Sequence, residues 1–154
     1  MPRQNGVMDT ATEFGRLLGP LRRAVLRTRH TAELPDLPEA QIELLRVLAA
    51  GDATPREVAA RLRVAPSTVS NLVRAMTAAG LVERIPSTVD LRTVRLAASP
   101  KALDMLDAYD RTSTAALRRA LDGLAPSSRE ALERALPALD DLLAALEAEA
   151  PGEG

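Results

Sequence analysis

The stretch GLVERIPSTVDLRTVRLAAS, residues 80 to 99, decides how the rest of the chain is read. Val94, Leu96 and Ala98 alternate with Arg95 and Ala97, which is the two-residue period of a half-buried strand. LVERI makes a second short strand, and PSTVDL between the two supplies turn residues, so the segment predicts an antiparallel hairpin with Asp90 and Arg92 near its tip. The sequence on either side has helical period. The hairpin is therefore an appendage to helices rather than part of a larger sheet.

Upstream, TPREVAARLRV opens with Thr54, Pro55 and Glu57, a capping box with proline at the first helical position. After a short break at Val64 and Ala65, PSTVSNLVRAMTAAG starts on Pro66 and ends on Gly80. Two short helices across so tight a break predict a helix-turn-helix. Such a pair needs a small residue at the crossing, here Ala59, and apolar residues around it, here Val58, Leu62, Val64, Val69, Leu72 and Met76. Arg63 occupies the turn position where glycine often relieves left-handed backbone, at a cost on the order of 1 kcal/mol. Ala65, just before Pro66, has no side-chain oxygen to cap the second helix.

The outward face of that second helix carries Ser67, Thr68, Ser70 and Asn71, with Arg74 one turn on. Short hydrogen-bonding groups at a helix N-terminus suit base edges in a major groove, while free N–H groups face a phosphate. Singly, such residues are ordinary solvated positions. Their charge setting favours the nucleic-acid reading: residues 54–95 hold seven arginines against three acids, residues 1–53 balance at seven each, and residues 96–154 carry six basic groups against eleven acidic ones. A net charge of −1 thus conceals a basic middle and an acidic C-terminal part.

PSTVSNLVRAM followed by GLVERIPSTVDLR closely resembles the winged helix-turn-helix of the MarR family of bacterial transcription regulators. The wing pattern of that family, G-L-V-x-R, five residues, then D-x-R, is met by Gly80, Leu81, Val82, Arg84, Asp90 and Arg92. The resemblance extends over nearly the whole chain. It implies a mainly α fold with a small β-hairpin wing, a winged helix-turn-helix flanked by N- and C-terminal dimerisation helices. It further implies that the recognition helix, about Pro66 to Ala79, enters the major groove, that Arg92 enters the adjacent minor groove, and that Asp90 braces the wing. Physically, an arginine suits a narrow A·T-rich minor groove, where the negative potential is enhanced. Arg74, and Arg84 and Arg95 on the wing strands, are the candidates for phosphate contacts. The chain departs from the family at Leu91 and at Asn71, where arginine is common, and at AASPKA, where Leu-Thr-x-x-Gly is usual.

Three parts follow. Residues 1–37 hold a dimerisation helix from Thr12 to about Glu33, with Phe14, Leu17, Leu18, Leu21 and Val25 on one face and Gly19-Pro20 bending or interrupting it. Residues 38–98 form the DNA-binding lobe, beginning with a helix that carries Ile42, Leu45, Val47 and Leu48 and stops at Gly51. Residues 99–154 hold two C-terminal dimerisation helices. The first is capped by Ser99 and runs to about Leu124, and the second bears Leu132, Leu136, Leu139, Leu143 and Leu146 on one stripe, with Pro137 kinking or splitting it. A leucine-striped acidic lobe suits self-association, because a two-fold dimer presents two recognition helices to half-sites about one helical turn apart. The alternative is that these leucines complete the monomer's own core.

Composition removes other classes. At 154 residues the chain can bury roughly 70% of the surface its unfolded form exposes, so it needs no staples. It has no cysteine and a single histidine, which excludes disulfides, thiolate sites and multi-histidine metal centres; no metal and no cofactor are expected. No nucleophile motif surrounds a serine, and Asp140 and Asp141 are neighbours on a helix face rather than a convergent pair, so an enzyme is not expected. With no secretory leader and no apolar run of roughly 18 to 20 residues, a cytoplasmic protein without membrane contact is expected.

The function expected is a sequence-specific regulator binding double-stranded DNA, a repressor acting as a homodimer on a pseudo-palindromic operator. The alternative is a winged helix that docks a protein partner and never touches DNA; the basic window at residues 54–95 weighs against it. The resemblance also implies release from DNA by a small aromatic or anionic effector bound between the two lobes. Arg22, Arg23, Arg27, Arg29 and His30 are the groups to pair with a carboxylate, Arg23, Arg27 and His30 foremost. A solvated face or an interface salt-bridge set is the competing reading of that cluster.

Overall fold

The computed structural model describes residues 9–30 and 34–149, the His30 side chain excepted. The chain forms α1 (Thr10–His30), α2 (Glu39–Ala49), α3 (Pro55–Leu62), α4 (Pro66–Ala78), β1 (Val82–Pro86), β2 (Val94–Ala98), α5 (Pro100–Asp122) and α6 (Pro126–Glu149). The fold is a mainly α one with a small antiparallel hairpin, as expected. Residues 31–33, where α1 was expected to end, lie outside the described part.

The core sits where α2, α3 and α4 meet the root of the hairpin and the first half of α5. Leu44, Leu45, Val58, Val69, Met76, Leu96 and Tyr109 are essentially fully buried there. Ala59 is buried at the helix crossing, and Leu62 and Leu72 pack on the cluster from its edge. Val64 does not join it: expected to point inward, it stays exposed. The cause is the turn itself. Arg63 adopts φ 55°, ψ 46°, and the Arg63 and Val64 N–H groups bond back to the Ala60 and Ala59 carbonyls, at 3.3 and 3.1 Å. That left-handed closure swings the next side chain outward.

The α4 C-terminus closes in the same way but with glycine. Gly80 has φ 73°, and the Gly80 and Leu81 N–H groups bond to Thr77 and Met76 carbonyls at 3.0 and 2.9 Å. The hairpin leaves from this turn, pairing Val82 with Ala98 at its root and Pro86 with Val94 toward its tip. Only Val82 and Leu96 are deeply buried, whereas Ile85 and Val94 are about 40% exposed. No element lies beneath the distal half, so the period-two pattern becomes burial only at the root.

At both internal prolines the helix continues, which leaves a bend or kink and removes a break. Pro20 does not interrupt α1 and Pro137 does not split α6; each lies within one continuous helix. A proline costs a helix one N–H bond and displaces the carbonyl four residues earlier. At these exposed positions water can take over that carbonyl.

α6 stands apart in burial. None of its residues is buried, and Leu132, Leu136, Leu139, Leu142, Leu143 and Leu146 are 37 to 58% exposed. The leucine stripe therefore does not complete the core of its own chain. α1 packs along α5 but keeps Phe14, Leu17, Leu18 and Leu21 exposed. Among the described residues no helix is long and apolar enough to cross a membrane.

Candidate nucleic-acid interface

The capping box at Thr54 forms as expected: the Thr54 N–H donates to Glu57 Oε2 at 2.8 Å and the Glu57 N–H to Thr54 Oγ1 at 3.2 Å. It holds the Glu57 carboxyl below the usual range, first through the hydrogen bond from the Thr54 backbone, with the Arg95 charge assisting. The next helix differs. No side chain caps α4 at Ala65; Pro66 has no N–H and the Thr68 N–H donates to the Ala65 carbonyl at 3.0 Å, so in the first turn it is the Ser67 N–H that faces an external acceptor.

Along α4 the two faces separate cleanly. Val69, Val73 and Met76 are buried, while Ser67, Thr68, Ser70, Asn71 and Arg74 are exposed together. Ser70 Oγ donates back to the Pro66 carbonyl at 3.1 Å. The Arg74 guanidinium reaches Asn71 Oδ1 only at 3.5 Å, the outer limit of a hydrogen bond, so both groups can exchange that contact for another.

Ser99 ties the wing root to this helix. Its Oγ donates to the Gly80 carbonyl at 2.7 Å and accepts the Ala102 N–H at 3.2 Å, capping α5, while its N–H donates to the Leu81 carbonyl at 3.0 Å. Lys101 Nζ adds a bond to the Ala79 carbonyl at 3.1 Å. One serine thus joins the end of α4, the start of β1 and the start of α5. In the AASPKA segment the Ser99 hydroxyl thus serves as the cap of α5.

At the far end of the wing, polar groups are turned inward. Asp90 Oδ1 accepts the Arg92 N–H at 2.9 Å and Oδ2 accepts the Thr93 hydroxyl at 3.2 Å; Ser87 Oγ accepts the Val89 and Asp90 N–H groups, each at 3.3 Å. The brace at Asp90 is therefore made to backbone and hydroxyl, without an ion pair to Arg92. What the tip presents outward is Arg92 together with Val89, 96% exposed, and Leu91, 89% exposed.

The basic residues divide. Arg84 and Arg92 are exposed and in no ion pair among the described residues. Arg95 is engaged: its Nε lies 2.9 Å from Asp52 Oδ2 and its Nη2 3.6 Å from Glu57 Oε2. Nothing in the sequence near Arg95 signals this, because Asp52 is 43 residues away.

The arginines of α1 divide as well. Arg22 pairs with Glu39 at 3.1 Å, Arg27 is exposed, and Arg23 lies back along the helix over Gly19. Arg29 is the one that reaches a cavity, a space of about 100 Å³ between α1, the segment before α2, and α5. Its guanidinium stacks 5.1 Å from the Tyr109 ring centroid, and its Nε and Nη1 are buried without a hydrogen-bond partner. Tyr109, whose hydroxyl donates to the Pro35 carbonyl, is the cavity residue that the sequence reading did not single out. Burial pushes its phenol above the usual value.

A helix-turn-helix with an open-ended second helix, followed at once by a braced hairpin, defines a winged helix-turn-helix protein. Residues 36–93, which span the helix-turn-helix and the wing to just past its tip, match the MarR family. Among curated protein sequences no relative matches.

Solved structures share the fold. RV1404 from Mycobacterium tuberculosis is 20% identical with a TM-score of 0.74, covering 88% of this chain and 96% of that one. FabT from Streptococcus pneumoniae, solved in complex with DNA, is 22% identical with a TM-score of 0.69, covering 90% and 99%. A MepR mutant from S. aureus, bound to an oligodeoxyribonucleotide, is 17% identical with a TM-score of 0.65, covering 88% and 99%.

Proposed function

We propose that this protein is a DNA-binding transcriptional regulator, a repressor acting as a homodimer on a pseudo-palindromic operator in double-stranded DNA. The observation that carries the reading is the joint exposure of the uncapped α4 face and of the unpaired wing arginines Arg84 and Arg92. In this reading Ser67, Thr68, Ser70 and Asn71 face base edges, Arg74 and Arg84 take phosphates, and Arg92 enters the minor groove beside a tip held by Asp90. Solved relatives in complex with DNA support it.

The homodimer is supported by α6. A 24-residue helix with six exposed leucines and no buried residue has no reason to hold its place on one chain alone. The exposed apolar residues of α1 extend the same surface, and a second copy covering both would set two α4 helices on half-sites roughly 34 Å apart. In this arrangement residues 38–98 read DNA while residues 1–37 and 99–154 assemble the dimer.

Release by a small anion is the reading that the Arg29 cavity favours. Two buried, unpartnered guanidinium nitrogens beside an aromatic ring suit a carboxylate or phenolate. At about 100 Å³ the cavity admits only part of such a ligand without movement of the lobes.

The test is a footprint on the DNA flanking the protein's own coding region, across a salt series, with and without small aromatic acids. Binding that weakens steeply with salt is expected, because each phosphate contact releases counterions. Affinity that stays flat with salt would favour a protein-docking winged helix instead. Sedimentation showing a stable monomer at micromolar concentration would refute the homodimer.

A further inference from the structure

Arg95 differs from the other wing arginines in what surrounds it. Its Nε donates to Asp52 Oδ2 at 2.9 Å and its Nη2 to the Asp52 carbonyl oxygen at 2.6 Å, so the planar guanidinium grips one residue at two points. The same Nη2 lies 3.6 Å from Glu57 Oε2, on the carboxylate that closes the capping box of α3. Between these contacts the backbone of Ala53 meets Leu96, exchanging N–H···O bonds of 3.0 and 2.7 Å. The root of the wing is therefore held to the start of the helix-turn-helix by one backbone bridge and one side-chain clamp.

Two consequences follow from elementary electrostatics and geometry. A phosphate approaching Arg95 would meet the Asp52 and Glu57 carboxylates, and the arginine side chain is only 31% exposed. It is a poor phosphate contact. A two-stranded ribbon with no layer beneath it has little stiffness of its own. Arg92 lies four residues beyond Leu96, about 13 Å along an extended strand, so a swing of roughly 20° at the root displaces it by roughly 4–5 Å. The Ala53 bridge and the Ser99 bonds join the backbone of the root to its neighbours. The forked clamp from the Arg95 side chain adds a restraint on that swing from the α3 side.

We infer that Arg95 is a positioning residue: by gripping Asp52 and facing Glu57 it sets the pitch of the wing against α3 and α4, so that Arg92 and the recognition helix engage one duplex together, and it does not itself contact phosphate. The inference rests on the reading that the chain binds DNA through α4 and the wing.

The experiment measures affinity of the full chain for a duplex carrying the footprinted site, over a salt series, for the wild type, Arg95→Ala, Arg95→Lys, Asp52→Ala and Arg84→Ala. Arg95→Ala is expected to weaken binding roughly tenfold, through lost pre-organisation, with the salt slope unchanged. Arg84→Ala should lower the slope by about one. Lysine keeps the charge but cannot fork, so Arg95→Lys should bind as weakly as Arg95→Ala.

Asp52→Ala gives the opposite sign under the two readings. Removing the clamp's partner weakens binding if Arg95 positions the wing, and strengthens it if Asp52 merely competes with DNA for that arginine. The double variant Arg95→Ala/Asp52→Ala should be no weaker than either single one. Tighter binding by Asp52→Ala, a slope lowered by about one in Arg95→Ala, rescue by lysine, or unchanged affinity in Arg95→Ala would each overturn the inference. Failure of the wild type to bind any duplex would instead remove the DNA-binding reading beneath it.

Discussion

Arg46 on α2 and Asp110 on α5 are joined by two hydrogen bonds, Nη2 to Oδ1 at 2.7 Å and Nη1 to Oδ2 at 3.3 Å. This parallel pair links the helix-turn-helix lobe to the long helix that leads away from it. Each partner moves the other: the hydrogen bond from Arg46 holds the Asp110 carboxyl below its ordinary range, and the bond to Asp110 raises the Arg46 guanidinium.

The pair makes stability depend on acidity in one direction. Asp110 has a lower value in the folded chain than in the unfolded one, so its stabilisation is complete above the ordinary carboxylate value near 4. That contribution is lost as pH falls through the lowered folded value. Both side chains are more than a third exposed, so the contribution at neutral pH is about 0.5–1 kcal/mol. Urea denaturation should show Asp110→Asn less stable than the wild type at pH 7, with the gap narrowing as the pH is taken down below the ordinary carboxylate value. A gap that keeps its size over that range would remove the charge from the account.

Arg63 and Gly80 end consecutive helices with the same left-handed closure, yet only one of them is glycine. Arg63→Gly relieves the Cβ conflict and should stabilise the chain by about 1 kcal/mol, offset in part by loss of the Arg63 Nη2 bond to the Glu147 carbonyl at 3.2 Å. At fixed protein concentration the urea midpoint should rise with an unchanged slope. A lower midpoint would show that the link to α6 outweighs the backbone strain.

Arg92 is exposed at the tip and carries no part of the core. Arg92→Ala should weaken binding to the operator by about 1–3 kcal/mol while leaving the melting temperature unchanged. Binding equal to that of the wild type would take the wing out of the contact.

Leu91, almost fully exposed beside Arg92, is an apolar residue at the tip of the wing. Leu91→Arg adds a charge at the tip without disturbing packing. Operator affinity at low salt should rise, and the dependence of log K on log salt should steepen by about 0.9. An unchanged slope would mean that the tip does not reach the phosphates.

Much of this architecture is local, and local features were legible in the sequence. The Thr54–Glu57 capping box, the Ser99 cap, the glycine that ends α4 and the turn chemistry of Ser87 and Asp90 all act within four residues. Spacing alone therefore determined the helix starts, the hairpin and the outward face of α4. Whether the prolines of α1 and α6 break a helix or leave it continuous depends on whether water can reach the freed carbonyl, which local spacing does not record.

The state of each arginine was a different matter. Arg92 and Arg95 lie three residues apart in one ribbon, and the sequence makes both candidate DNA contacts, one for the minor groove and one for phosphate. Only the tertiary structure separates them, by bringing Asp52 to Arg95 from 43 residues away and leaving Arg92 in solvent. The same holds for Arg46, matched to Asp110 across 64 residues, and for Arg29, set over Tyr109 while Arg23 and Arg27 of the same helix are exposed. Hydrogen bonds form only at about 3 Å and exposed charges are screened beyond about 10 Å, so whether a charge is paired or free depends on which segments the fold brings together.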